Sequence, residues 1–161
     1  MGNLRIEIKW GVIFTLALLV WTWLEKLFGW HDQLIDKHPI YTMIFILPAF
    51  IIYFFAILEK RETDFAGQMT WFQGFRSGLI IGVVVAILSP LAQYITHTFI
   101  TPDYFANAQA YGLENGYFQT KEEAEAAFNL QTYIVQSVMF AIVMGGLTGA
   151  IIALILKKKY V

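Results

Sequence analysis

The chain contains no cysteine, which excludes disulfide bridges, thiolate metal sites and cysteine nucleophiles together. Charge is scarce as well. Asp, Glu, Lys and Arg make up 14% of the residues against 58% hydrophobic, a balance too apolar for an ordinary water-soluble domain. The few histidines have no evident partner along the sequence and no serine sits in a nucleophile elbow, so no complete hydrolytic set is legible and the reading is non-enzymatic. Basic residues are scattered rather than clustered, which argues against nucleic acid as a partner and leaves contact with anionic lipid as their simpler use.

What the sequence does have is long apolar runs. A helix crosses the bilayer hydrocarbon with roughly 20 apolar residues. Four stretches come close to or exceed that length: Trp10 to Phe28, Ile40 to Leu58, Leu79 to Phe99 and Tyr133 to Leu156. The pattern predicts an all-α polytopic membrane protein, a single domain over residues 1–161 with transmembrane helices at about 10–29, 40–58, 78–100 and 132–156. These spans use most of the chain and leave no room for a separate catalytic domain. The first apolar segment ends in Trp21, Trp23, Phe28 and Trp30 instead of a small-residue cleavage site, so it is expected to stay as an uncleaved anchor.

Four crossings put the N-terminal tail, the second loop and the C-terminal tail on one side, with Arg5, Lys9, Lys60, Arg61, Arg76, Lys157, Lys158 and Lys159. The other two loops hold only Lys37 and Lys121, with Lys26 near a helix end. Positive charge favours the cytoplasmic side, so both termini are expected inside.

Punctuation refines the elements. Pro48 and Pro90 fall inside apolar runs, where a proline removes a backbone bond, and Pro48 is expected to kink its helix. The charged run Glu59, Lys60, Arg61, Glu62 is expected to stop the second helix. In the outer loop over residues 101–130, Thr101, Pro102 and Asp103 read as an N-cap, a first-turn proline and a first-turn acid, with Gly112 as the stop. Thr120 followed by Glu123 reads as a capping box. Two short helices forming a helical hairpin are therefore expected between the third and fourth spans, with Tyr104, Phe105, Ala108 and Tyr111 on one face of the first and Ala124, Ala127 and Phe128 on one face of the second.

Glycine spacing is the clearest constellation. Gly74, Gly78 and Gly82 recur every four residues and Gly145 and Gly149 form a second pair, as small residues do where transmembrane helices pack closely. Intramolecular packing is the simplest use of these faces; a homo-oligomer or a membrane-protein partner is the alternative. A polar set sits in the outer half: Glu25, Ser89, Gln93, His97 and Gln136, with Ser137 at comparable depth. Ionisable groups within a membrane often mark ion, proton or substrate sites, although each can also reach the headgroups or a backbone group. The first outer loop, His31 to His38, mixes imidazoles with Asp32 and Asp36, but its spacing matches no zinc motif and Lys37 would repel a cation. A solvated loop, with no metal and no cofactor, is the expectation there.

The segment Thr70, Trp71, Phe72, Gln73, Gly74, Phe75, Arg76, Ser77, Gly78 entering the third span, the turn Thr101, Pro102, Asp103, Tyr104, the basic start of the first span and the acidic outer helix together resemble domain-of-unknown-function family 4199, small four-helix bacterial membrane proteins. The resemblance covers nearly the full length. It implies a bacterial inner membrane and no catalytic residues. Tyr104 and Phe105 depart from the more aliphatic outer helix expected of that family.

The reading that follows is a non-enzymatic inner-membrane scaffold or accessory subunit in contact with the lipid bilayer, docked through its glycine faces or outer loop. A small transporter or ion pathway using the outer polar set is the alternative, and an enzyme acting on lipid-linked substrates a third. No repeat of the first two helices onto the last two is evident, which disfavours a monomeric carrier.

Overall fold

The computed structural model describes residues 4–158, and among them all regular structure is helical. Lys159, which enters the charge count above, lies outside the described residues. Four helical stretches are long and apolar enough to cross a membrane: Arg5–Leu27, His38–Asp64, Trp71–Ile100 and Lys121–Leu156. The chain is thus a multi-pass membrane protein of four spans.

Helix α1, Arg5–Leu27, begins well before the apolar stretch at Trp10 because its polar first turns find partners on other elements. Lys60 Nζ and Ser77 Oγ donate to the Glu7 carboxylate at 3.1 and 3.0 Å, and Lys9 Nζ donates to Glu59 at 2.6 Å. The second span comprises α2 (His38–Tyr41), a 3-10 segment (Thr42–Phe45) and α3 (Ile46–Asp64). Contrary to expectation, the charged run does not end it. Lys60 bridges forward to Asp64 at 2.7 Å as well as to Glu7, and Arg61 donates to the Leu156 carbonyl at 3.1 Å, so these charges are used inside the helix end. Pro48 occupies the first turn of α3, directly after the 3-10 segment, so its missing amide falls where the pitch changes.

Helix α4, Trp71–Ile95, starts earlier than residue 78 because Thr70 and Gln73 form a capping box. The Gln73 amide donates to Thr70 Oγ1 at 3.3 Å, and the Thr70 amide donates to Gln73 Oε1 at 2.8 Å. Pro90 lies within α4, which passes into a π-helical turn, Thr96–Ile100. Two short helices, α5 (Tyr104–Glu114) and α6 (Lys121–Ala127), occupy the connection to α7 (Leu130–Leu156). Helix α5 begins at Tyr104 without a Thr101 cap, and it runs through Gly112, which is buried. A methyl group on Gly112 would fall 2.6 Å from the Phe118 ring, so that glycine makes room for an aromatic ring instead of stopping a helix. The α6 cap is half as expected: Thr120 Oγ1 accepts from the Glu123 amide at 3.2 Å, but the Glu123 carboxylate accepts from the Gln119 amide at 2.8 Å, one residue before the cap.

Packing centres on α4 against α7. A methyl group on Gly149 would lie 2.8 Å from Gly78 Cα, one on Gly145 would lie 2.6 Å from Gly82 Cα, and one on Gly74 would lie 2.8 Å from the Ala153 side chain. Backbones meet at this depth because nothing stands between them, and close approach strengthens dispersion where lipid gives no hydrophobic gain on association. Helix α1 closes on α4 with Gly11 making room for the Val84 side chain. Tyr53, Ala56 and Ile57 of α3 complete a core with Met69, Ile81, Val85, Ile152 and Leu156. Large apolar side chains such as Leu16, Leu47, Ile87, Phe140 and Leu147 remain exposed around the bundle, the surface that meets lipid. The Lys158 amide donates to the Met69 carbonyl and Lys9 pairs with Glu59, which sets both chain ends at one end of the bundle, hereafter the terminal end. Helices α2, α5 and α6 lie at the opposite, loop end.

Candidate functional site

The loop end is organised by how α1 stops. The Gly29 amide donates to the Lys26 carbonyl and the Trp30 amide to the Glu25 carbonyl, a paired closure that needs a left-handed residue. Gly29 supplies it at φ +73°. The chain therefore doubles back over the last turn of α1, and His31 lands on the side chain of Glu25: its Nε2 lies 3.3 Å from Glu25 Oε2. His38, the first residue of α2, brings Nε2 to 3.7 Å from the same oxygen. Trp21 Nε1 donates to Glu25 Oε1 at 2.7 Å. Glu25 and His31 are 3% and 4% exposed, so both the carboxylate and the imidazole are interior.

Helix α5 supplies the roof. Tyr104 Oη lies 3.3 Å from His38 Nδ1 and 3.0 Å from Tyr133 Oη of α7, and its ring packs edge-on to His31 and His38. Burial pushes the Tyr104 phenol up from its ordinary range, which keeps it protonated as a donor. Asn107 Nδ2 donates to the His31 carbonyl at 3.0 Å and fixes the turn. His97 sits on the π-helical turn, its Nε2 3.1 Å from Gln93 Oε1 and its ring stacked on Phe105 at 4.0 Å between centroids. The unusual pitch after α4 places His97 in this cluster, in keeping with the frequency of such turns at functional sites.

Together these groups enclose a cavity of about 130 Å³ lined by Thr22, Glu25, His31, His38, Gln93, Thr96, His97, Thr101, Tyr104 and Tyr133. All three histidines of the chain are in that lining. Nδ1 of His31 and Nδ1 of His97 are buried without a hydrogen-bond partner. A second cavity of about 560 Å³, mostly apolar and aromatic, shares His38, Tyr104 and Tyr133 with the first and extends over Ile35, Tyr111, Phe118 and Phe128.

Of the polar set taken from the sequence, Glu25, Gln93 and His97 line the polar cavity. Ser89 is buried outside that lining and donates to the Val85 carbonyl at 2.9 Å. Gln136 is exposed on α7, and Ser137 donates to the Ile134 carbonyl. The solvated loop expected from His31 to His38 is corrected at both histidines: His31 is buried, and both pack on Glu25. Sequence reasoning missed them because it weighed them against Asp32, Asp36 and Lys37, their neighbours in sequence. A legible signal existed in Glu25, Gly29 and His31, a carboxylate in a last helical turn followed by a reversing glycine and then an imidazole. Tyr104 and Tyr133 carried no such signal.

No curated protein and no solved structure matches the chain. Residues 9–158 fit the family described as Protein of unknown function (DUF4199), and the chain belongs to it.

Proposed function

We propose that the chain is a non-enzymatic binding protein of the bacterial inner membrane that takes a small polar or ionic ligand into the cavity at its loop end. The supporting observation is the convergence of all three histidines with Glu25 on one cavity, reached from four separate segments of the chain. Burying ionisable groups at membrane depth is costly, and a bundle that needed only stability would fill this space with apolar side chains. Lysine and arginine favour the terminal end, so the cavity faces outward.

Binding has more support than conduction. Along α1 from Glu25 towards the terminal end come Leu18 and Phe14, and along α4 from Gln93 come Val85 and Ile81, all in or against the apolar core. The buried hydroxyls between, Ser89 and Thr15, donate to the Val85 and Gly11 carbonyls of their own helices, and charged side chains resume at Glu7 and Lys60. That arrangement suits a site open to one side better than a path through the bundle. A scaffold docked through its glycine faces has less support, since α4 and α7 spend those faces on each other.

Water access tests the proposal. The absence of native cysteine makes Thr22→Cys and Thr96→Cys clean reporters. Both are expected to react with a small, membrane-impermeant thiol reagent added at the loop end and to stay silent when it is added at the terminal end. Silence from both ends, while an exposed control cysteine at Asn115 reacts, would mean that the cavity is a dry structural plug.

A further inference from the structure

We infer that Glu25, His31 and His38 form a binding site for a divalent transition-metal ion, with zinc the best match to the donors. The inference rests on the binding reading above and names its ligand. One donor atom from each residue lies within 4.8 Å of the others. Two imidazole nitrogens and a carboxylate oxygen are the donor set of open zinc sites, in which the fourth position goes to water or substrate. Zinc bonds of this kind are about 2.0 to 2.2 Å long, which puts tetrahedral donors about 3.3 Å apart. The separations of 3.3 Å for His31 to Glu25 and 3.7 Å for His38 to Glu25 are within a small side-chain adjustment of that spacing.

Three further features fit an ion better than a bare hydrogen-bond cluster. Both Nε2 atoms address the same carboxylate oxygen, leaving Nδ1 of each ring on the far side. For His38 that atom meets Tyr104 Oη, and Tyr104 in turn meets Tyr133 Oη. This is the outer hydrogen-bonded layer that fixes the tautomer and direction of a metal-bound imidazole, with Nδ1–H donating to the phenol oxygen and the phenol donating onward to Tyr133. For His31, Nδ1 is buried with no partner, while the backbone around it is held by Asn107. The ring thus meets Glu25 through Nε2 and leaves Nδ1 open, a deficit that a metal bond at Nδ1 itself would offset. Finally, Gln93, Thr96, Thr101 and His97 give the cavity the polar lining that a metal-bound water or anion requires. Donor softness selects against magnesium and calcium, which prefer all-oxygen shells.

Purified without a histidine tag, stripped with chelator and placed in lipid nanodiscs, the chain is expected to bind one Co²⁺, with the intense visible bands of a four-coordinate site that Zn²⁺ bleaches. His31→Gln, His38→Gln and Glu25→Gln should each weaken Zn²⁺ binding by more than about 100-fold, Tyr104→Phe by about 10- to 100-fold through loss of orientation, and Glu122→Gln, an exposed carboxylate on α6, not at all. Absence of stoichiometric Co²⁺ binding in the unaltered chain overturns the inference whatever the variants do, as does binding that survives His31→Gln and Glu25→Gln. Cysteine reactivity at Thr22 separates the two failures: a reactive Thr22→Cys with no metal bound sinks the metal assignment alone, and an unreactive one sinks the chamber with it.

Discussion

Gly78 of α4 and Gly149 of α7 meet backbone to backbone, so closely that a methyl group on Gly149 would stand 2.8 Å from Gly78 Cα. Because the opposing atoms are backbone, neither side can yield by changing a rotamer. Gly149→Leu and Gly82→Leu are expected to cost on the order of 1 to 3 kcal/mol by forcing α4 and α7 apart. Gly146→Ala is the control: its nearest contact would be Leu79 Cδ1 at 3.5 Å, ordinary van der Waals distance, and it should leave stability unchanged or raise it by up to about 1 kcal/mol. Thermal unfolding in mild detergent measures all three, and equal effects at Gly146 and Gly149 would refute the steric argument.

Glu7 and Lys60 pair in the interior at the terminal end, at 2.9 Å and with Glu7 only 1% exposed. Glu7→Ala takes from the buried Lys60 ammonium its most buried carboxylate partner and should cost about 3 to 5 kcal/mol. Replacing both partners, as Glu7→Met with Lys60→Met, removes the stranded charge and should cost less than Glu7→Ala. A double variant less stable than the single one, read by chemical unfolding in detergent, would show that the pair stabilises outright.

Orientation follows from the uneven distribution of lysine and arginine. Single cysteines at Asp36 and Asn115, both exposed at the loop end, are expected to label in intact spheroplasts, whereas one at exposed Thr63 should label only after lysis. The opposite pattern would invert the topology and turn the cavity to the cytoplasm.

Tyr104 supplies a pH dependence. Its phenol is raised by burial, so the folded state holds the proton more tightly than the unfolded chain, and the resulting stability is fully present below the unfolded value of about 10 and is lost as pH rises above it. Tyr104→Phe should flatten the alkaline decline in unfolding free energy and, at neutral pH, cost about 1 kcal/mol for the contacts with His38 and Tyr133. An unchanged alkaline slope would show that this phenol is not the group concerned.

The four spans were legible because apolar length is a property of the chain itself, whereas the cap at Thr70 and Gln73, which starts α4 ahead of residue 78, was not read. Helix limits were not legible where polar residues depend on partners far along the chain: the α1 start follows from Glu7 meeting Lys60 and Ser77, and the continuation of α3 from Lys60 meeting Asp64 and Glu7. Gly112 shows a second limit, since a stop signal and a seat for the Phe118 ring read alike in one dimension. For the site, Glu25, Gln93 and His97 stood out as ionisable or polar groups in apolar runs. His31 and His38 did not, because what takes them out of solvent is the reversal at Gly29 and the roof provided by Tyr104, a contact across 66 residues of sequence from His38.

If the cluster at the loop end is a hydrated chamber, the three histidines report it directly. In bilayers of chain labelled with ¹⁵N in histidine and isoleucine, transfer of polarisation from water to the imidazole rings can be timed against the amides of Ile57 and Ile81, both fully buried in the apolar core. A hydrated chamber gives fast build-up at His31, His38 and His97 and slow build-up at the two isoleucines. Imidazole signals that rise as slowly as Ile57 and Ile81 would contradict it.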